Sequence, residues 1–215
     1  MRIATWNVNS IRARVDRVTS WLERSDCEGY EVAAHGINQW NGVAICSRVG
    51  LDDVVRDFPN QPGFSKSGEN PQVEPRAIGA TCRGVQIWSL YVPNGRTIED
   101  PQLADPSALI ALVGDWNIAP TDLDVWDIAE FADSTHVTEP ERAAFREFAE
   151  LGMTEVTTKH LATPGTYTYW DYKAGRFFKD QGMRIDFQYH SPSLSELVED
   201  VWIDVDERRG KGASD

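Results

Sequence analysis

A chain of 215 residues with 41% hydrophobic content is long enough for one domain with a real core and too apolar to read as disordered. Its 21 Lys and Arg against 34 Asp and Glu leave a formal charge of −13, which argues against a polyanionic partner unless the cations gather on one face. No run is apolar enough to span a membrane, and MRIATWNVNS turns polar too early for a signal peptide. Cys27, Cys46 and Cys82 are widely spaced and form no CxxC pair. The expectation is a reducing, cytoplasmic protein of one domain over 1–215, without membrane contact, whose cysteines act as small buried hydrophobes.

In chain order, RIATWNV reads as a strand of mixed polarity. NSIRARVDRVTSWLER reads as a helix, with Ile11, Val15, Val18 and Leu22 at helical spacing and Asn9 or Ser10 as its cap. Strand-like runs follow at YEVAAHGI, GVAICSR, RAIGATCRG, VQIWSLYV and ALIALVGDW. THVTEPERAAFREFAELG predicts a helix, with Thr138 and Glu141 at capping-box spacing, Pro140 in the first turn and Gly152 past its end. GTYTYWDY, MRIDFQYH and LVEDVWIDV close the series. The strands come in successive runs rather than in regular alternation with helices. Two sheets packed face to face, with helices outside, fit this better than a doubly wound sheet. His35, His136, His160 and His190 show no ligand spacing and are expected on surfaces or loops.

Several strand ends carry polar residues that a core would not choose. TWNVN supplies Asn7 and Asn9, SLYVPNGR supplies Tyr91, Asn94 and Arg96, and GDWN supplies Asp115 and Asn117. Asn and Asp also start turns, so any one of these endings is ordinary turn chemistry. MRIDF is harder to explain that way, because Asp186 sits between Ile185 and Phe187 and needs a partner there. Asp115 and Asn117 are two apart, the spacing that puts strand side chains on one face.

MRIATWNVNSIRAR, LYVPNGR, IALVGDWNIAP, TYTYWDY, GMRIDF and GKGASD occur together and in this order. The set resembles bacterial exonuclease III, the abasic-site endonuclease branch of the endonuclease/exonuclease/phosphatase superfamily. GDWN and RIDF alone would indicate only the superfamily. The resemblance implies an α/β fold, a four-layer sandwich of two packed mixed β-sheets flanked by helices. It also implies a Mg2+-dependent phosphodiesterase, with Mn2+ as the alternative cation. Its substrate would be double-stranded DNA with abasic sites or 3′ ends, and it would act as a monomer. By resemblance, Asp115 activates the attacking water, and Asn117 and Asn7 orient that water and hold Asp115. Tyr91 and Asn94 hydrogen-bond the phosphate. Asp186 orients a histidine. Asp215 sits at the metal, with Asn7 and Asn9 at its edge. The segment from Trp170 to Met183 borders the pocket for a base-free sugar, although core packing is an equal reading of its aromatic string.

This fits the chemistry required. A phosphodiester repels nucleophiles, so its hydrolysis needs a base for water, donors or cations for the developing charge, and rigid placement. Oxygen-rich donors without cysteine suit Mg2+. The expected DNA surface is a basic rim of Arg12, Arg14, Arg96, Arg176 and Lys211 on an acidic molecule.

The sequence also departs from the family pattern. A core strand ending in a QET-like motif, whose Glu is the principal metal ligand, is missing where WLERSD meets CEGYEV. Glu28 lies nearby in a context that does not match. TIEDPQLADPSALIALVGDWN is too short for the family's long helix, and no Asp-His pair follows GKGASD. The fold is therefore expected to be incomplete, with apolar faces uncovered and strand slots open beside RIATWNV and GDWN. Two further functions stay in view: a catalytically dead DNA-binding remnant or inert fold, and a superfamily phosphoesterase acting on small or lipid phosphodiesters.

Overall fold

The computed structural model describes residues 1–25, 29–37, 41–58, 61, 63, 71–92, 107–132, 134–161, 163, 165–210 and 212–214. Eight strands are described: β1 (Glu31–Gly36), β2 (Gly42–Ser47), β3 (Asp52–Arg56), β4 (Ala77–Cys82), β5 (Val85–Tyr91), β6 (Ile110–Asp115), β7 (Thr154–Glu155) and β8 (Asp186–His190). β1 and β2 form an antiparallel ribbon, and the other six form a mixed sheet in the order β3-β4-β5-β6-β8-β7. Only β5 and β6 run parallel in it. The helices are α1 (Ile11–Arg24), α2 (Glu139–Glu150), α3 (Val156–His160) and α4 (Pro192–Ser195). None of the described helices is long and apolar enough to cross a membrane.

Strand alternation sorts the core into two layers. Trp88 and Leu90 of β5, Ile110 and Leu112 of β6, and Phe187 and Tyr189 of β8 face α2, which contributes Phe145 and Phe148. The intervening residues Ile87, Ala111 and Val113 face the other way, where Ala33 and Ile45 of the ribbon cover them. The fold is thus the expected α/β sandwich of two packed sheets with flanking helices. Gly79 stands opposite Trp88, and a Cβ there would lie 2.6 Å from the indole, so the glycine makes room for the ring. α2 begins at the predicted capping box, with Thr138 Oγ1 donating to Glu141 Oε2 at 2.6 Å.

Three expected strands are not there. Residues 2–8 hold no strand, because none of the described strands supplies them a ladder; Ile3 still packs against the inter-sheet core. GTYTYWDY makes one isolated bridge, Tyr169 to Met183, and residues 197–204 hold no strand. β3 went unread, since DDVVR lacks alternation and is exposed throughout at the sheet edge. The slot beside GDWN is filled, as β6 lies between β5 and β8. Uncovered apolar surface is present: Ile11 and Val15 of α1 are each 51% exposed. Cys82 is buried, Cys46 is exposed, and Cys27 lies outside the described residues. Two histidines depart from expectation. His190 is buried on β8, and His35 on β1 pairs with Asp57 at 3.0 Å.

Candidate active site

Three strand ends meet at one point. In the parallel β5–β6 ladder Tyr91 stands beside Asp115, and in the antiparallel β6–β8 ladder Asp115 stands beside Asp186. Asp115 continues the inter-sheet face of Ala111 and Val113. Trp116 turns to the α2 side, where it packs on Phe145, Phe148 and Tyr189 and donates from Nε1 to the Phe187 carbonyl at 3.1 Å. That buried indole pins the strand end, so Asp115 projects from the opposite face. Gly114 allows the close approach of β5: a Cβ there would lie 1.9 Å from the Leu90 carbonyl oxygen.

Two donors hold the Asp115 carboxylate. Asn7 Nδ2 donates to Oδ2 at 2.7 Å, and the Asn117 backbone N–H donates to Oδ1 at 2.9 Å. Asn7 is itself fixed: its Oδ1 accepts the Asn9 N–H at 3.0 Å, and its carbonyl accepts Arg208 Nη1 at 3.0 Å. Thr168 Oγ1 accepts the N–H groups of both Ile185 and Asp186 at 3.1 Å, which sets the backbone that presents Asp186. Burial, and then the neighbouring Asp186 carboxylate, push Asp115 up from 3.8 to about 8; the Asn117 N–H, the Asn7 amide and Arg208 pull the other way.

Asn117 differs from its expected geometry. β6 ends at Asp115 and Asn117 has φ 51°, so the two side chains do not share a strand face. Its backbone, not its amide, holds Asp115, and its Nδ2 donates to the Val92 carbonyl at 3.0 Å. Arg14 also turns inward, donating to the carbonyls of Asn9 and Ala213 and to the Tyr172 hydroxyl. Arg12 is exposed, and Arg176 lies 5.3 Å over the Trp126 ring. Trp170 is buried, packs edge-on against Phe177 and donates to Asp180, whereas Met183 lines a pocket of about 300 Å³ with Tyr169, Trp126 and His136. Asn94, Arg96, Lys211 and Asp215, like Glu28, lie outside the described residues. Sequence reasoning missed Thr168 and Arg208. Thr168 hides in an aromatic string that reads as packing, and Arg208 lies in a basic run that reads as solvated.

The chain matches the Endonuclease/Exonuclease/phosphatase family over residues 4–215. It belongs to that family. An exodeoxyribonuclease of Bacillus subtilis (strain 168) is 25% identical over 238 residues, covering 96% of this chain and 94% of the relative. That alignment is longer than the 215 residues of this chain, so the relative carries segments that this family member lacks. An AP endonuclease from Archaeoglobus fulgidus superposes with a TM-score of 0.82 at 27% identity, covering 98% of this chain and 94% of its own. A 3′ phosphatase from Neisseria, solved bound to product DNA hairpin, superposes at 0.81 with 26% identity over 96% and 93% of the two chains.

Nucleases of this family generally use a divalent metal, and the donors here fit one. Mg2+ keeps several waters and takes one or two carboxylates. Asp115, Asp186 and Asn7 offer only oxygen ligands, and a cation would relieve the repulsion within the acid pair. Among the described residues no three His, Cys, Asp or Glu side chains gather around one point, so water or substrate oxygens would complete the shell.

Proposed function

We propose that this chain is a DNA-repair phosphodiesterase of the exonuclease III kind, cutting duplex DNA at abasic sites and trimming 3′ ends. The observation that carries the reading is the convergence of Asn7, Tyr91, Asp115 and Asp186 where β5, β6 and β8 end together. Asp115 takes a proton from the water that attacks phosphorus. The Asn7 amide and the Asn117 N–H keep its carboxylate in line. Tyr91 is set by its backbone N–H to the Arg76 carbonyl and by Arg76 over its ring at 4.6 Å, and it offers its hydroxyl to the phosphate. Asp186 and Asn7, with Asp215 and Asn9 by family resemblance, would hold Mg2+, which would supply positive charge for the phosphate oxygens. The protein acts as a monomer in the cytoplasm.

A second reading is supported by the acid–base set. His190 shares β8 with Asp186 but turns its Nε2 to Gln188 Oε1 at 3.1 Å, so this histidine does not serve Asp186. With the family's Asp-His pair not found after GKGASD, turnover should be very slow compared with a complete site, since one missing preorganised group commonly costs about 10²–10³ in rate. Incubating the protein with an abasic duplex and Mg2+ tests both readings. Strand cleavage supports the nuclease. Binding without cleavage supports a DNA-binding remnant. Cleavage of small phosphodiesters, with the duplex left intact, would replace both.

A further inference from the structure

Asn7 reaches Asp115 from a segment that no sheet holds. Residues 2–8 form no strand, yet Asn7 Nδ2 lies 2.7 Å from the Asp115 carboxylate. The entry into α1 is also strained. Asn9 and Ser10 have φ 40° and 80°, and the Ser10 side chain makes no capping bond. Residues held in such backbone regions persist only where other contacts over-determine them. Those contacts come from residues 208–214. Arg208 Nη1 donates to the Asn7 carbonyl at 3.0 Å and also to Ser214 Oγ, which accepts Trp6 Nε1 at 3.2 Å. Arg14 makes the second link. It donates to the Asn9 carbonyl, to the Ala213 carbonyl at 3.3 Å and to the Tyr172 hydroxyl at 2.6 Å. Tyr172 in turn donates to the Ala213 carbonyl at 3.4 Å.

The two arginines bracket the bond that orients the Asn7 amide. The Asn9 N–H donates to Asn7 Oδ1 at 3.0 Å, which leaves Nδ2 turned toward Asp115. Arg208 fixes the backbone before that bond, and Arg14 fixes it after. We propose that Arg208 and Arg14 are positioning residues, which clip residues 6–9 to residues 213–214 and so hold the Asn7 amide against Asp115 in place of a strand ladder. A planar guanidinium suits this task, because its fork presents several donors at fixed angles and an ammonium does not. The Arg208 charge also reaches Asp115, where it opposes the upward push of burial. The proposal deepens the phosphodiesterase reading above, which supplies its consequence in rate. The placement of Asn7 itself can be read without that reaction.

The test follows the Asn7 side-chain amide in nitrogen–proton correlation spectra of the metal-free protein, its signal pair identified by its loss in Asn7→Ala. In wild type the pair should be dispersed and slow to exchange with water. Arg208→Met and Arg14→Met should each move it toward solvent-exposed amides and speed its exchange about tenfold or more, as a local opening does. Arg208→Lys keeps the charge and one donor, so it should fold and give an intermediate rate. An Asn7 pair at its wild-type position and exchange rate in both Arg208→Lys and Arg14→Met would overturn the proposal. Single-turnover cleavage of an abasic duplex with Mg2+ gives the second readout. Asn7→Ala should slow it by about 10²–10³, as for one lost preorganised donor. Adding Arg208→Met to Asn7→Ala should slow it no more than about twofold further, because residues acting as a unit are not additive. A further tenfold loss would mean that Arg208 acts by a route other than Asn7, and would also overturn the proposal. Wild type that shows the expected amide signals but cuts no duplex would overturn the nuclease reading and leave the two-arginine clip standing.

Discussion

Asp115 and Asp186 stand opposite each other in the β6–β8 ladder, two carboxylates on one face of one sheet, 6% and 7% exposed. Like charges so placed cannot both ionise cheaply, so the pair holds a proton, a cation, or both. The donors around it, Asn7 and the Asn117 N–H, are arranged for the charged form of Asp115. The site is therefore poised to take up positive charge.

Asp115→Asn tests the role of the base. The substitution keeps the shape and removes the basicity. Turnover on abasic duplex should fall by about 10²–10⁴ while duplex affinity holds within about twofold. Single-turnover kinetics and anisotropy titrations measure the two separately. An Asn variant that cuts at the wild-type rate at neutral pH would assign the base elsewhere.

The same carboxyl makes stability depend on pH. Raised from 3.8 to about 8 on folding, Asp115 binds its proton more tightly in the folded chain than in the unfolded one. Its contribution is therefore fully present below about pH 4 and is lost as pH rises through about 8. Without metal, the thermal midpoint of wild type should drop relative to that of Asp115→Asn between about pH 5 and about pH 9. Parallel curves for the two proteins would show that Asp115 is not held high.

Gly114 is required by the backbone of β5. A Cβ there meets the Leu90 carbonyl oxygen at 1.9 Å, and no rotamer change moves a backbone atom inside a sheet. Gly114→Ala should cost about 3 kcal/mol, the upper end of ordinary overpacking, or separate β5 from β6. Gly152, with φ +89° and nothing near its Cβ, should cost only about 1–2 kcal/mol when changed to Ala. Urea midpoints of the two variants give the comparison.

How much of this was legible in the sequence follows from where the determinants lie. β4, β5 and β6 were readable because their apolar runs sit between turn signals, and α2 because its capping box is local. The meeting of Asp115 with Asp186 was not readable from spacing. It depends on the register of strands far apart in sequence, and only the family resemblance of GDWN and RIDF pointed to it. The Asn117 turn escaped the two-residue spacing rule because a left-handed φ breaks strand periodicity. Residues 2–8 look like a strand, but a strand needs a neighbour as well as a pattern.

A buried ion pair braces the chain just before Asp186. Arg184 Nη2 lies 2.5 Å from Asp124 Oδ1, with side chains 6% and 1% exposed. Arg184 Nη1 donates to the Leu161 carbonyl at 2.8 Å, and Asp124 Oδ2 accepts the Thr121 N–H and hydroxyl at 2.9 and 2.7 Å. The pair ties the loop after β6 to the residues just before Asp186, and the Arg184 N–H repeats the tie by donating to the Asp124 carbonyl at 2.8 Å. Removing one partner strands the other charge, so Arg184→Met or Asp124→Leu alone should each destabilise by about 3–5 kcal/mol. The double variant removes both charges and should cost clearly less than the sum, because neither is left unpaired. A double-mutant cycle on unfolding free energies reads this directly. If the two losses simply add, the pair is not coupled, and Arg184 acts through its bond to Leu161 instead.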